Sequence, residues 1–226
     1  MKTKILLLIP TLDQSGAEKQ LTLLATGLQA ARSAAGEQEF DVRVVALTRG
    51  GPYADILREH GVPLDVLGKR FKFDPIALWR LRRLIREWRP DVLHTWLFAA
   101  NTYGRLVAGK QNRPKIIVSE RCVDSWKSGW QLWFDKKLIP RTARLVGNSQ
   151  GVADFYRRLG VPEDRLRVVH NGIDLPDTPQ AERSQLFKEL GLPDEARVVG
   201  YVGRLAKQKR VEDLAWTVEL LSNLQP

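Results

Sequence analysis

Lys4-Ile5-Leu6-Leu7-Leu8-Ile9-Pro10-Thr11-Leu12-Asp13-Gln14-Ser15-Gly16-Ala17-Glu18 begins with an unbroken apolar run and then turns at a proline and a glycine. A strand with one wet face alternates apolar and polar residues, whereas one that is apolar throughout is covered on both faces. The run is shorter than the ~7–15 apolar residues of a secretory signal core, and no small-residue cleavage site follows it. It therefore predicts a buried first strand, with a helix beginning near Gly16.

Short apolar runs of the same kind recur at 41–47, 63–67, 91–95, 115–119, 143–147, 165–169 and 197–203. Between them the period lengthens. Leu21, Leu24 and Leu28 mark one helix face, and Leu81, Leu84, Ile85 and Trp88 another. Gly50-Gly51-Pro52, Arg89-Pro90 and Gly160-Val161-Pro162 punctuate the alternation. Strands alternating with helices predict right-handed βαβ crossovers. The expected fold is α/β: a Rossmann-like, doubly wound parallel sheet.

The pattern changes at Asp174-Leu175-Pro176-Asp177-Thr178-Pro179, which has two prolines and no apolar period. Residues 1–175 are expected to form the first domain and 176–182 a linker. Residues 183–226 offer a helix at 183–190, a strand at 197–203 and a helix at about 210–224. One strand and two helices cannot close a core, so this segment is expected to be the incomplete start of a second Rossmann-like domain.

Composition narrows the function. Of 226 residues, 43% are hydrophobic and 27% charged, which excludes a disordered or collagen-like chain. The single cysteine, Cys122, excludes a disulfide framework and a cysteine-based zinc site, and His60, His94 and His170 are too scattered for a local metal motif. No run approaches the ~18 apolar residues of a membrane span. With one cysteine and no leader, a cytoplasmic protein is expected.

The net charge of +10 is unevenly spread. Residues 69–89 carry eight cations against Asp74 and Glu87, a net +6. Within the helix expected at 75–88, Arg82 and Arg86, with Arg89 beyond, recur at i, i+4 and i+7, and Trp79 and Trp88 are expected to flank that face. A basic helix bearing tryptophan is the pattern of an interfacial contact with an anionic membrane, here the inner face of the cytoplasmic membrane. The alternative is a Leu/Trp stripe packed on the sheet. Trp126, Lys127, Trp130, Trp133, Phe134, Lys136 and Lys137 form a second aromatic and basic segment. It reads either as the lining of an acceptor groove or as a buried helix. No nucleic-acid motif accompanies the basic charge, so no nucleic-acid partner is expected.

Several strand ends carry chemistry. Gly16 would let backbone approach a ligand at a helix N-terminus, though Ser15 and Glu18 also have capping-box spacing. No dinucleotide G-x-G-x-x-G and no P-loop is present. His94 at the end of 91–95 could hydrogen-bond a sugar hydroxyl or be satisfied by backbone. In Ser119-Glu120-Arg121 the carboxylate and guanidinium could pair with each other. Asn148-Ser149 could cap a helix starting near Gln150, and Asn171-Gly172 reads as a tight turn. In Val202-Gly203-Arg204-Leu205-Ala206-Lys207-Gln208-Lys209, Arg204 and Lys209 could neutralise a diphosphate.

Taken in order, Ser-Gly-Ala-Glu, Asp-Val-x-His-Thr, Asn-Ser, Val-x-x-Asn-Gly-Ile-Asp and Val-Gly-Arg-Leu-x-x-x-Lys resemble the retaining GT4-type glycosyltransferases of GT-B fold. The resemblance implies two facing Rossmann-like domains, the second holding most of a nucleotide sugar. It implies that Gly16 approaches the donor diphosphate and that Arg204 and Lys209 stabilise it as it leaves. No metal or other cofactor is then needed, and the chain has no Asp-x-Asp. His94 and Glu120 become the expected catalytic residues, and Trp79, Arg82, Arg86, Trp126 and Trp130 an acceptor or membrane patch.

Three positions depart from the family pattern. Ser15 replaces a glycine, Trp96 stands where a second histidine is common, and Arg210 follows Lys209 in place of glycine. The family's Glu-x7-Glu would lie beyond Pro226. The expected function is transfer of a sugar to a lipid-linked or polysaccharide acceptor in envelope or exopolysaccharide synthesis. The alternative is an acceptor- or membrane-binding fragment without catalysis of its own.

Overall fold

Seven of the eight predicted strands form one parallel sheet, in the order β3-β2-β1-β4-β5-β6-β7. They are β1 (Thr3–Ile9), β2 (Phe40–Ala46), β3 (Leu64–Val66), β4 (Val92–Trp96), β5 (Lys115–Glu120), β6 (Arg144–Gly147) and β7 (Leu166–Val168). The computed structural model describes residues 2–108, 114–123, 127–173, 182–203, 205 and 209–224. Helices α1 (Gly16–Ala30), α2 (Tyr53–Glu59), α3 (Pro75–Trp88), α4 (Leu97–Val107), α5 (Gly129–Leu138) and α6 (Gln150–Leu159) connect successive strands.

The uniform apolarity of β1 has a direct cause. Ile5, Leu7 and Ile9 point to one face and pack with Leu21 and Ala25 of α1 and Leu57 of α2. Leu6 and Leu8 point to the other and pack with Ala77 and Leu81 of α3 and Ala100 and Tyr103 of α4. Both faces are roofed, so the run has no polar position. In-register pairing with β2 (Leu7↔Val44) and with β4 (Leu7↔His94) makes β1 an interior strand of the sheet. A third cluster around Val118, Leu145 and Tyr156 covers the β5–β7 side. Gly104 permits the tight seat of α4, because a Cβ there would lie 2.4 Å from Thr95 Cγ2.

Helix α3 starts and stops for local reasons. Asp74 caps it by accepting from the N–H groups of Ile76 and Ala77, and Pro75 occupies its first turn. It ends at Arg89, whose φ of 53° is left-handed. Two expectations fail here. At 100° per residue, Trp79 and Trp88 lie half a turn apart and do not flank one face. Trp88 packs against the core, with Lys4 and Arg43 over its ring, while Trp79 is exposed. Arg89 leaves the helix as its cap, so it does not extend the row of Arg82 and Arg86.

The chain divides into two compact units, Met1–Ile173 and Asp174–Pro226. The linker expected at 176–182 lies outside the described residues save for Glu182. The second unit contains α7 (Arg183–Glu189), which buries Phe187, and α8 (Val211–Leu224). The strand expected at 197–203 does not form. Val198, Val199 and Val202 are exposed, and among the described residues no strand lies beside them to complete a ladder.

Candidate functional site

All seven strands are parallel, so their carboxyl ends share one edge of the sheet, where ligands of such folds bind. Two places on that edge carry chemistry, both within the first unit.

The first lies where β1 turns into α1. A cleft of about 300 Å³ is lined by Gln14, Ser15, Gly16, Lys19, Pro52, Tyr53 and Ile56. The predicted capping box is absent: the Ser15 hydroxyl turns to the Glu18 carboxylate and does not cap the helix backbone. Thr11 Oγ1 also reaches Glu18, at 3.4 Å. The first N–H groups of α1 therefore lack a side-chain cap, and Lys19 lines the same cleft. A Cβ added to Gly16 would meet no atom within 4 Å, so nothing inside the protein demands glycine there.

The second lies over β4, β5 and β7. His94 Nε2 is 2.8 Å from Ser119 Oγ on the neighbouring strand. Burial, aided by the positive charge of Arg121, pushes the imidazole pKa down to about 3 and keeps it neutral. Arg121 stacks 4.6 Å above the Trp96 ring and donates to Asn171 Oδ1. Its half-burial lowers its own pKa, and no carboxylate pairs with it among the described residues. The expected Glu120–Arg121 pair does not form. Neighbouring residues at a strand end point to opposite sides, and Glu120 turns inward.

There Glu120, only 2% exposed, accepts from Asn101 Nδ2 at 2.9 Å and lies 3.6 Å from Lys127 Nζ. Lys127 donates to Asp135 and to the Tyr156 hydroxyl, each at 2.8 Å, and Asp135 pairs with Arg105 at 2.5 Å. The segment containing Lys127 read either as a groove lining or as a buried helix, and Lys127 itself is buried, neutralised by this network. Helix α5 is consequently two-sided: Asp135 and Leu138 face in, while Trp130 and Trp133 remain exposed.

The last loop of the unit is tied back to its first helix. Gln20 Nε2 donates to Gly172 O at 2.6 Å, and Gly172 N donates to Gln20 Oε1 at 3.0 Å. No local pattern announces this clamp, which spans 152 residues. Ser149 caps α6 as expected, accepting from Val152 N, and Asn148 donates to Arg121 O. Of the remaining predicted site residues, Arg82 and Arg86 are exposed on α3, and Lys209 is exposed in the second unit. Arg204 and Trp126 lie outside the described residues. No group of three or more His, Cys, Asp or Glu that could hold a metal occurs among the described residues. No helix among them is long and apolar enough to cross a membrane.

Residues 15–176 match Glycosyltransferase Family 4. The chain is 26% identical over 171 residues to a GDP-mannose-dependent alpha-mannosyltransferase of Mycobacterium tuberculosis, covering 71% of this chain and 44% of that protein. It is 26% identical over 196 residues to a D-inositol 3-phosphate glycosyltransferase of Corynebacterium jeikeium, covering 84% of this chain and 42% of that one. In structure it resembles the Anabaena protein HepE, solved with UDP, at a TM-score of 0.66 and 20% identity, over 84% of this chain and 50% of the other. The chain thus spans about half the length of the proteins it matches.

Proposed function

The chain belongs to Glycosyltransferase Family 4, and from that membership we propose that it forms the acceptor-side half of an enzyme moving a sugar from a nucleotide sugar to an acceptor hydroxyl. The observation that carries this reading is the placement of Arg121 near His94 at the carboxyl edge of the sheet. A partly desolvated guanidinium without a carboxylate partner favours an anionic group on the ligand. A neutral imidazole beside it favours a hydroxyl. An acceptor whose sugar hangs from a phosphate, as in a lipid-linked intermediate, offers both.

In this reading the acceptor lies over β4 and β5, with its phosphate on Arg121 and a hydroxyl on His94. At a pKa of about 3 the imidazole is a poor proton acceptor, so it orients the hydroxyl by hydrogen bonding. Glu120 acts through the strand end that it anchors to Asn101 and Lys127. The donor diphosphate approaches the α1 N-terminus at Gly16, whose missing side chain and uncapped N–H groups suit a close anion. Arg204 and Lys209 offset the charge that builds on the leaving nucleoside diphosphate while the sugar transfers with retention. UDP in the HepE structure and GDP-mannose in the name of the mycobacterial relative support a nucleotide sugar as donor. The product belongs to envelope or exopolysaccharide synthesis, and the protein works at the inner face of the cytoplasmic membrane.

The test is release of nucleoside diphosphate from sugar nucleotides by the full reading frame that contains this chain. Turnover that needs acceptor and falls on Arg204→Ala and Lys209→Ala supports the reading; turnover unchanged by both substitutions overturns the diphosphate assignment. A second reading, an acceptor-binding module, draws on the fact that cleft and edge both lie within Met1–Ile173. Acceptor binding by this chain without any sugar transfer by the full reading frame would favour it.

A further inference from the structure

Resting on the membrane-side reading above, we infer that the loop before α3 and the first two turns of that helix form a rigid wedge that inserts into an anionic lipid surface. Phe71, Phe73, Ile76 and Trp79 are 69%, 62%, 62% and 58% exposed, within nine residues of one another. Among the described residues of the first unit they are the largest run of exposed apolar side chains. Soluble surfaces rarely collect large apolar side chains in this way without a partner.

The wedge is not a slack loop. Asp74, itself buried, accepts from Arg70 N at 2.9 Å and from the N–H groups of Ile76 and Ala77. Its own N–H donates to the Tyr103 hydroxyl at 2.6 Å, and Arg80 donates to Leu67 O at 2.7 Å. Four hydrogen bonds thus brace the segment internally and one, to Tyr103, ties it to α4, while both phenylalanines are exposed. The side chains are held exposed by a fixed backbone, which removes most of the ordering cost of docking them.

Charge selects the occupant. At 100° per residue, Ile76, Trp79, Arg82, Arg83 and Arg86 fall within one 120° arc of α3, as the helical period of about 3.6 dictates. Arg83 is taken up by Glu87 at 2.7 Å and lies over the Trp79 ring. Arg82 and Arg86 are exposed and have no carboxylate partner among the described residues, and exposed Arg70 and Lys72 bracket Phe71. Apolar side chains ringed by cations match a bilayer interface, where the chains enter the acyl boundary and the cations meet anionic headgroups. A protein partner would need a matching acidic rim around an apolar pocket, whereas an anionic bilayer supplies both along its whole surface.

The chain is mixed with vesicles of phosphatidylcholine, or of phosphatidylcholine with phosphatidylglycerol, and floated through a density gradient. It is expected to float with the anionic vesicles and to stay behind with the neutral ones. Phe71→Ser with Phe73→Ser, both outside the core, is expected to keep the melting curve and to reduce flotation by about tenfold or more. Arg82→Gln with Arg86→Gln is expected to weaken flotation and its salt sensitivity. Equal flotation of the phenylalanine variant and the parent, or no flotation of the parent, overturns the inference. So does concentration-dependent self-association that the phenylalanine substitutions abolish, since that would assign the patch to a second copy. No sugar nucleotide enters this experiment, so its failure leaves the transfer reading standing. Flotation combined with absent transfer by the full reading frame would remove the transfer reading alone.

Discussion

His94 and Ser119, side by side on parallel strands β4 and β5, are joined at 2.8 Å between Nε2 and Oγ. Burial holds this imidazole neutral down to about pH 3, against about 6.5 in an unfolded chain. As pH falls below about 6.5, unfolded chains bind a proton that the native state refuses. Stability contributed by His94 is therefore complete above 6.5 and is lost toward pH 3, with a slope of at most about 1.4 kcal/mol per pH unit. Urea unfolding across this range should show the loss, and His94→Gln should flatten it. A His94 imidazole signal titrating near pH 6.5 in NMR would contradict the burial argument.

Gly16→Ala separates folding from function. Its Cβ enters open space, so the substitution should leave stability unchanged or raise it by up to about 1 kcal/mol, as alanine outranks glycine in a helix. Donor turnover by the full reading frame should fall at the same time, because the added methyl occupies the approach to the α1 N–H groups. Paired melting curves and turnover assays check both halves.

Lys127→Met should be among the costliest single changes. It removes the ammonium that faces both buried carboxylates, Glu120 and Asp135, at a cost of about 3–5 kcal/mol. Adding Glu120→Gln removes the surplus charge while keeping an acceptor for Asn101, and should restore part of the loss. Urea midpoints at constant m-value measure this pair.

Arg121→Gln should barely change the melting temperature, since among the described residues the Arg121 side chain holds an Asn171 oxygen and a ring face. Binding of a phosphorylated acceptor, measured by calorimetry on this chain, should weaken at least tenfold. The loss corresponds to one charge-assisted hydrogen bond of ~1.5–3 kcal/mol.

Much of the sheet was legible because both its faces are covered: a strand such as Leu6-Leu7-Leu8 has no wet side to interrupt its apolar run. The same rule fails at 197–203, where Val198 and Val199 are apolar and no strand pairs with them among the described residues. An apolar run records a preference, and the ladder needs a partner that the run cannot specify. On α3 the period held the answer, since nine residues between Trp79 and Trp88 make two and a half turns and set them on opposite sides. Lys127 was illegible in a stricter sense. Its burial depends on Asp135, eight residues on, and Tyr156, 29 residues on, and no neighbour in sequence signals either. At the candidate site, His94 could be picked out from its position at a strand end, whereas Arg121 was read only as a partner for Glu120 and its role there was missed. Their partners Ser119, Trp96 and Asn171 came from register and topology, which local sequence does not encode.

The outermost strands of the sheet, Leu64–Val66 and Leu166–Val168, are only three residues long each. A β-edge is a template, and the risk it carries grows with the number of N–H and C=O groups it leaves unpaired. Each of these two strands offers little backbone for another copy to zip onto. Edge-to-edge pairing between copies is therefore disfavoured along the two outermost strands of the first unit.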